Sequence, residues 1–231
     1  AQNLQLRLEA PAALALGMQQ FQLEQLCVKG AEERLCGAAR SNSSTWDAKL
    51  SAEALPLRAL TAGLTQDIDY EGTINVQAEL AGSKGRLPTG SVRGQLQQAQ
   101  LRHRLGNGRD ERLALGSGSV TGTATDSAFA LQVGLDAGSS GNITGELTGE
   151  RGASNWRDYP IRGALVASTD GLALLDIYFG GIDKATGRIN TNVTVGGTLG
   201  APTMQGLLQL RDASIDIYQV NLALRELSLD A

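Results

Sequence analysis

Residues 187–231 alternate with a period of two, and that period limits what the chain can become. Ile189, Val193 and Val195 fall on one parity, with Thr191 among them, while Asn190, Asn192 and Thr194 fall on the other. Such alternation belongs to a strand with one apolar and one wet face. Gly196-Gly197 interrupts the run, and Gly200-Ala201-Pro202 predicts a turn. A second strand carries Met204, Gly206, Leu208 and Leu210 on the inward parity, and Gln205, Gln209 and Arg211 outward. Asp212 reads as the turn out of it, before Ile215 and Ile217 open a third strand. Leu222 and Leu224, then Leu227 and Leu229, close the segment, and the parity change across Arg225-Glu226 predicts a bulge.

The rest of the chain repeats the pattern. Leu4, Leu6 and Leu8 form one strand; Phe21 and Leu23 begin another, which slips parity to Leu26 and Val28. Residues 37–45 read as a polar loop, followed by a strand with Trp46, Ala48 and Leu50. Pro56 suits a first helical position, and Leu57, Leu60 and Leu64 follow at helical spacing, so a short helix is predicted. Ile74, Val76, Ala78 and Leu80 then alternate cleanly, and strands marked by Leu131, Val133, Ile143 and Leu147 continue a meander. Asp170 predicts a cap for a second short helix with Leu172, Leu175 and Phe179. The order Trp46, helix, Gly72, Ile74 recurs as Trp156, helix, Gly187, Ile189, at an offset of about 110–115 residues. The predicted organisation is 1–45 as N-terminal strands and a cysteine hairpin, 46–155 as a first repeat and 156–231 as a second, in one continuous unit. The fold class is all-β. With 29 glycines and only 4% aromatic residues, thin aliphatic side chains line the apolar rows.

Cys27 and Cys36 are the only cysteines. Opposed in a hairpin, they leave either Ala31-Glu32 or residues 30–33 as the turn, and a cross-strand disulfide is then geometrically reasonable. It implies an oxidising compartment, with the periplasm the natural candidate. The same pairing turns Val28 and Leu35 to the opposite face. Metal ligation is the poorer reading, since no further Cys or nearby His completes a site.

The composition excludes several functions. The net charge is −4, with no basic stripe, so nucleic acid is not an expected partner. His103 is the sole histidine and reads as a structural residue at the edge of an apolar row. No nucleophile elbow, Walker loop or zinc-protease motif occurs, so no enzyme, cofactor or metal is predicted. No signal peptide is expected within residues 1–231, and the apolar run at residues 10–18 is too short to span a bilayer.

The ordered set Gly187, Gly197, Thr198, Leu199, Pro202, Gly206, Leu208, Leu210, Leu227 and Leu229 resembles the C-terminal region of TamB-type proteins, related to the AsmA-like group. The likeness extends back through Trp156, Tyr159-Pro160-Ile161 and Gly163 to Trp46 and the cysteines. The resemblance implies a folded sheet, or β-taco, with an apolar trough; periodicity alone would favour a closed core. It implies a periplasmic segment of a protein anchored in the inner membrane by a part outside these residues and paired with the outer-membrane barrel subunit TamA. It implies that the trough shields phospholipid acyl chains and supports outer-membrane biogenesis. The alternative is a chaperone or scaffold that works with TamA in the assembly of outer-membrane proteins such as autotransporters, meeting these proteins unfolded through the same trough or by strand addition at an exposed edge. The residues expected to line the trough are Ile74, Val76, Leu80, Ile189, Val193, Val195, Met204, Leu208 and Leu210.

Overall fold

The computed structural model describes residues 5–61, 68–83, 86–104, 110–169, 172, 184–217 and 222–230. The strands are β1 (Arg7–Leu8), β2 (Leu14–Leu16), β3 (Phe21–Lys29), β4 (Arg34–Ser41), β5 (Thr45–Pro56), β6 (Ile68–Ser83) and β7 (Thr89–Arg104). They continue with β8 (Asp110–Ala124), β9 (Ala128–Asp136), β10 (Gly141–Glu150), β11 (Ile161–Thr169), β12 (Lys184–Thr198), β13 (Ala201–Ile217) and β14 (Leu222–Asp230). From β3 onward each strand pairs antiparallel with the next, giving one open sheet of 14 strands. β1 and β2 share the outer edge of β3, one at each end, so a broken strand seals that edge.

Among the described residues no second sheet packs against this one. Its accessible surface is 15342 Å², whereas a compact globule of this mass exposes about 10,000 Å². Among the described residues the fully buried side chains are few: the largest is Leu101, and a small cluster joins Leu172, Ala185 and Ala213. The fold is therefore held mainly by strand ladders and same-face neighbours rather than by a central core.

Two lines of bulges cross the sheet. The first passes through Ala54 in β5, Gly72 in β6, Gln98 in β7 and Gly116 in β8, all with positive φ. The second passes through Gly187, Asp212 and Glu226 in β12, β13 and β14. Gly72 admits no side chain, because a Cβ there would meet the Gln97 carbonyl oxygen at 2.8 Å. Asn75 holds the first line by accepting the Ala54 N–H at 2.7 Å. The second line lies about 115 residues after the first, so the bulges share the spacing of the sequence repeat.

Several local expectations are corrected. Residues 37–41 are strand rather than loop: Gly37, Ala38 and Ala39 are small enough to pair closely with Leu50, Lys49 and Ala48. Asp212 is not a turn but a left-handed bulge residue inside β13. Gly196-Gly197 does not end β12, which reaches Thr198 and turns at Leu199-Gly200. Trp156 does not match Trp46, which lies within β5 opposite Gly82, whereas Trp156 sits in a 3-10 turn before β11. The bulge expected at Arg225-Glu226 is present, with φ 53° at Glu226. The first short helix is α1 (Leu57–Thr61), packed on β6; Leu64 lies outside the described residues. The second expected helix also lies outside them, apart from Leu172.

Candidate functional site: the apolar face

Directly paired residues in an antiparallel sheet point to the same face, so register alone decides what each face carries. Starting from Leu26 in β3, the partners run Gly37, Leu50, Ala78, Val92 and Gly122. They continue through Leu131, Leu147, Gly163 and Val195 to Met204 in β13. No member of this row is polar. A second row, two residues along each strand, runs from Val28 and Leu35 through Val76, Val120, Val133 and Leu165 to Val193 and Gly206, again without a polar side chain. From β3 to β13 each row covers ten strand spacings of about 4.8 Å, or about 48 Å.

The opposite face is predominantly polar. The row beside the second apolar one holds Ser51, Gln77, Arg93, Thr121, Gln132, Glu146, Thr194 and Gln205. Lys49 and Glu79 form an ion pair there at 3.2 Å, which at such exposure contributes little. A shallow cleft on this face is lined by Lys49, Gln77, Glu79 and Arg93. Val166 and Leu207, which flank Asn192, are its exposed aliphatic exceptions.

All nine residues expected to line the trough lie on the apolar face. Val76 and Val193 share one row, Val195 is aligned with Ala78, and Leu208 with Ile74 through Leu96, Gly118, Leu135 and Ile143. Leu80 lies one row further toward the strand ends, with Gly90, Ala124 and Phe129. The six in β6 and β12, and Leu210 in β13, are half-buried; Met204 is 70% exposed and Leu208 40%. The face also takes in Leu50, Leu131, Val133 and Leu165, which the sequence reading left out of the site. Their alternation was visible, but only register could place them in line with the rest.

The face is paved in pairs of bulky and missing side chains. Gly94, Gly118, Gly122, Gly145, Gly163 and Gly206 all lie on it, each opposite a Val or Leu. The aliphatics lean over these gaps: a Cβ on Gly145 would stand 2.9 Å from Val133 Cγ2 and 3.3 Å from Leu165 Cδ1. Only Gly134 and Gly196 occupy the polar face among the described paired strand glycines.

Near the α1 end of the strands the face is covered. Leu172 packs on Ala185 and Ala213, with Ile189, Leu210, Ile215 and Leu227 around it. At the other end an arginine ties the loops together. Arg151 donates to the carbonyl oxygens of Leu87, Pro88 and Thr125, and its Nε is buried without a partner.

Cys27 and Cys36 pair directly across β3 and β4, with Cα atoms 4.1 Å apart and their sulfurs bonded. Gly30 donates to the Glu33 carbonyl, so residues 30–33 make the turn. The cystine lies on the polar face, opposite to Val28 and Leu35, beneath Glu9. Glu9 donates its N–H to the Cys27 carbonyl and accepts from Nε and Nη2 of Arg34, which hold its carboxyl below the usual carboxylate range. Glu9, Cys27 and Cys36 are close enough to share a cation, but their donors are already engaged with Arg34 and each other.

Residues 1–210 match the family described as TamB, N-terminal domain. The chain belongs to the TamB family. The match is to that family's N-terminal domain, so it does not carry the C-terminal placement expected from the closing strands. No curated protein and no solved structure matches the chain. The TamB assignment makes it part of a translocation and assembly module with a role in outer-membrane assembly. Among the described residues no helix is long and apolar enough to cross a membrane.

Proposed function

We propose that this segment of a TamB-family protein shields phospholipid acyl chains along its apolar face, between the inner and outer membranes. The observation that carries the reading is the pair of wholly apolar rows that cross β3 to β13 while staying open to solvent. In a soluble protein an uncovered apolar strip of this length marks a binding surface. Acyl chains are its simplest complement, being long, apolar and undemanding in shape. One leaflet's chains reach about 15 Å, half of a bilayer's hydrocarbon core, so a row of about 48 Å accommodates roughly three chains end to end. The two repeats contribute to one path, since Val76 and Val193 stand in the same row. Family membership supports a periplasmic location, an inner-membrane anchor elsewhere in the protein, and TamA as the outer-membrane partner.

Photo-crosslinkers at Val76 and Val193 are expected to capture lipid in cells, and crosslinkers at Gln77 and Asn192 are not. Gln77 is the better polar-face control in β6, because neighbouring Asn75 holds the bulge. Capture at both parities alike, or at neither, would refute the assignment of the face.

A further inference from the structure

The two long margins of the apolar face differ in chemistry. Among the described residues, five of the six aromatic side chains stand at the loop end of the strands, opposite α1: Phe21, Trp46, Phe129, Trp156 and Tyr159. Trp46 and Phe129 lie on the apolar face itself, in β5 and β9. Each lies over the glycine of the next strand. A Cβ on Gly82 would meet the Trp46 indole at 2.7 Å, and one on Gly149 would enter the Phe129 ring. Rings so placed continue the apolar floor up to its wet border, the setting in which aromatic side chains are favoured.

The margin along the bulge lines is dry. Ala99, Leu101, Ala185 and Ala213 are all at most 6% exposed there. Its cations are matched by acids: Arg102 by Asp69 at 2.8 Å, Arg188 by Asp212 at 3.7 Å, and Arg225 by Asp216. At the loop margin, Arg157 is held differently. Its guanidinium stands 5.4 Å from the Trp156 ring centroid, and among the described residues no carboxylate pairs with it. A guanidinium stacked on an indole keeps its N–H edge free to donate two bonds to one phosphate. The turn that carries it is fixed, since the Asn155 side chain accepts the Arg157 N–H at 3.2 Å and the Arg157 carbonyl accepts the Gly200 N–H at 2.7 Å.

We propose that the loop margin is the headgroup side of the face, with Arg157 as a phosphate-binding residue. A bound phospholipid lies with the methyl ends of its chains toward the bulge lines, its ester groups at the level of Trp46 and Phe129, and its phosphate at the loops. This orientation rests on the acyl-chain reading and gives it a direction. The span fits: from Phe129 to Leu135 the face runs about 20 Å along β9, against about 15 Å for the chains of one leaflet. A headgroup at the bulge margin would lie instead among buried alanines and cations already paired, with neither room nor free charge.

Trp46 and Trp156 are the chain's only tryptophans, so Trp156→Phe leaves a single fluorescent reporter at the loop margin. Combining Trp46→Phe, Trp156→Phe and Ile143→Trp moves the reporter to the row nearest the bulge lines. Each protein is loaded with phosphatidylglycerol brominated either near the ester or near the methyl end of its chains. The ester-side bromine is expected to quench the Trp46 reporter more strongly, and the methyl-side bromine the Ile143→Trp reporter. In the otherwise native chain, Arg157→Gln should lower retention of phosphatidylglycerol about fivefold and leave that of diacylglycerol with the same chains unchanged. The reverse quenching order, or equal quenching by both lipids at both positions, overturns the orientation while leaving acyl chains on the face. Loss of both lipids alike in Arg157→Gln, or of neither, overturns the phosphate contact. Quenching at neither position by either lipid shows the face to be bare of acyl chains, and overturns the orientation together with the reading it rests on.

Discussion

Leu165→Asp separates an open apolar face from a packed core. Leu165 stands mid-row, paired with Gly145 and Val193, and is 39% exposed. A fully buried leucine contributes about 2.5 kcal/mol through its apolar area, so roughly three-fifths of that, about 1.5 kcal/mol, is lost on replacement. Water reaches the position, so the carboxylate adds little further cost. At roughly 2–4 °C per kcal/mol for a chain of this size, the melting temperature should fall by about 3–6 °C. In a closed core the same carboxylate would lie unpaired and dry, at a cost of several kcal/mol more. The ligand feels the opposite balance: an acyl chain lying over the introduced carboxylate must strip water from a charge, so recovered phospholipid should drop sharply. Asn192→Asp, on the polar parity of the adjacent strand, should change neither readout. Thermal melts monitored by circular dichroism, with lipid mass spectrometry of the purified chain, provide both. A fall beyond about 10 °C would indicate a closed core. Unchanged lipid recovery, or equal effects of the two variants, would refute the facing.

Three other outcomes are expected. Reducing the Cys27–Cys36 bond should cost about 2.5 kcal/mol in the chain-entropy model for so short a loop, read as a lower urea midpoint. Acid should loosen the sheet at its margins first. Arg34 depresses the Glu9 carboxyl, and Arg211, with Gln209, depresses that of Asp230. A depressed folded pKa gives stability that is present above the unfolded value and lost as pH falls through the folded one. Exchange at β1 and β14 should therefore rise below about pH 4, before that of β6 to β11. Arg151→Met should destabilise by about 2–4 kcal/mol, because charge-assisted bonds to three carbonyls disappear; amide exchange near residues 87 and 125 would report it.

The faces were legible in the sequence because parity is local. Ile189 through Val195 and Ile74 through Leu80 face one way by counting alone, and the same counting found the Glu226 bulge. What counting cannot supply is the pairing of distant strands. That Val76 and Val193 share a row depends on every register between β6 and β12, which small residues and bulges set jointly. Asp212 misled for a similar reason. Its turn propensity is genuine, but the ladder on both sides continues and uses its left-handed conformation for a bulge. Residues 37–41 misled through composition, since Gly-Ala-Ala-Arg-Ser has little apolar mass of its own and becomes strand only by lying between β3 and β5.

The uneven placement of glycine has a mechanical consequence. One surface of the sheet carries the full volume of its Gln, Thr, Arg and Glu side chains, and the other is thinned wherever Gly94, Gly118, Gly122, Gly145, Gly163 or Gly206 stands. Like a strip made of two layers of unequal thickness, such a sheet relaxes by curling toward its thinner side, since side chains there can approach without colliding. At Gly122, where a Cβ would meet nothing closer than 3.8 Å, alanine would add bulk inside such a curl and oppose it; at Gly163 and Gly206, where a Cβ would meet a backbone carbonyl oxygen at 2.3 and 2.2 Å, it would push the neighbouring strand away instead.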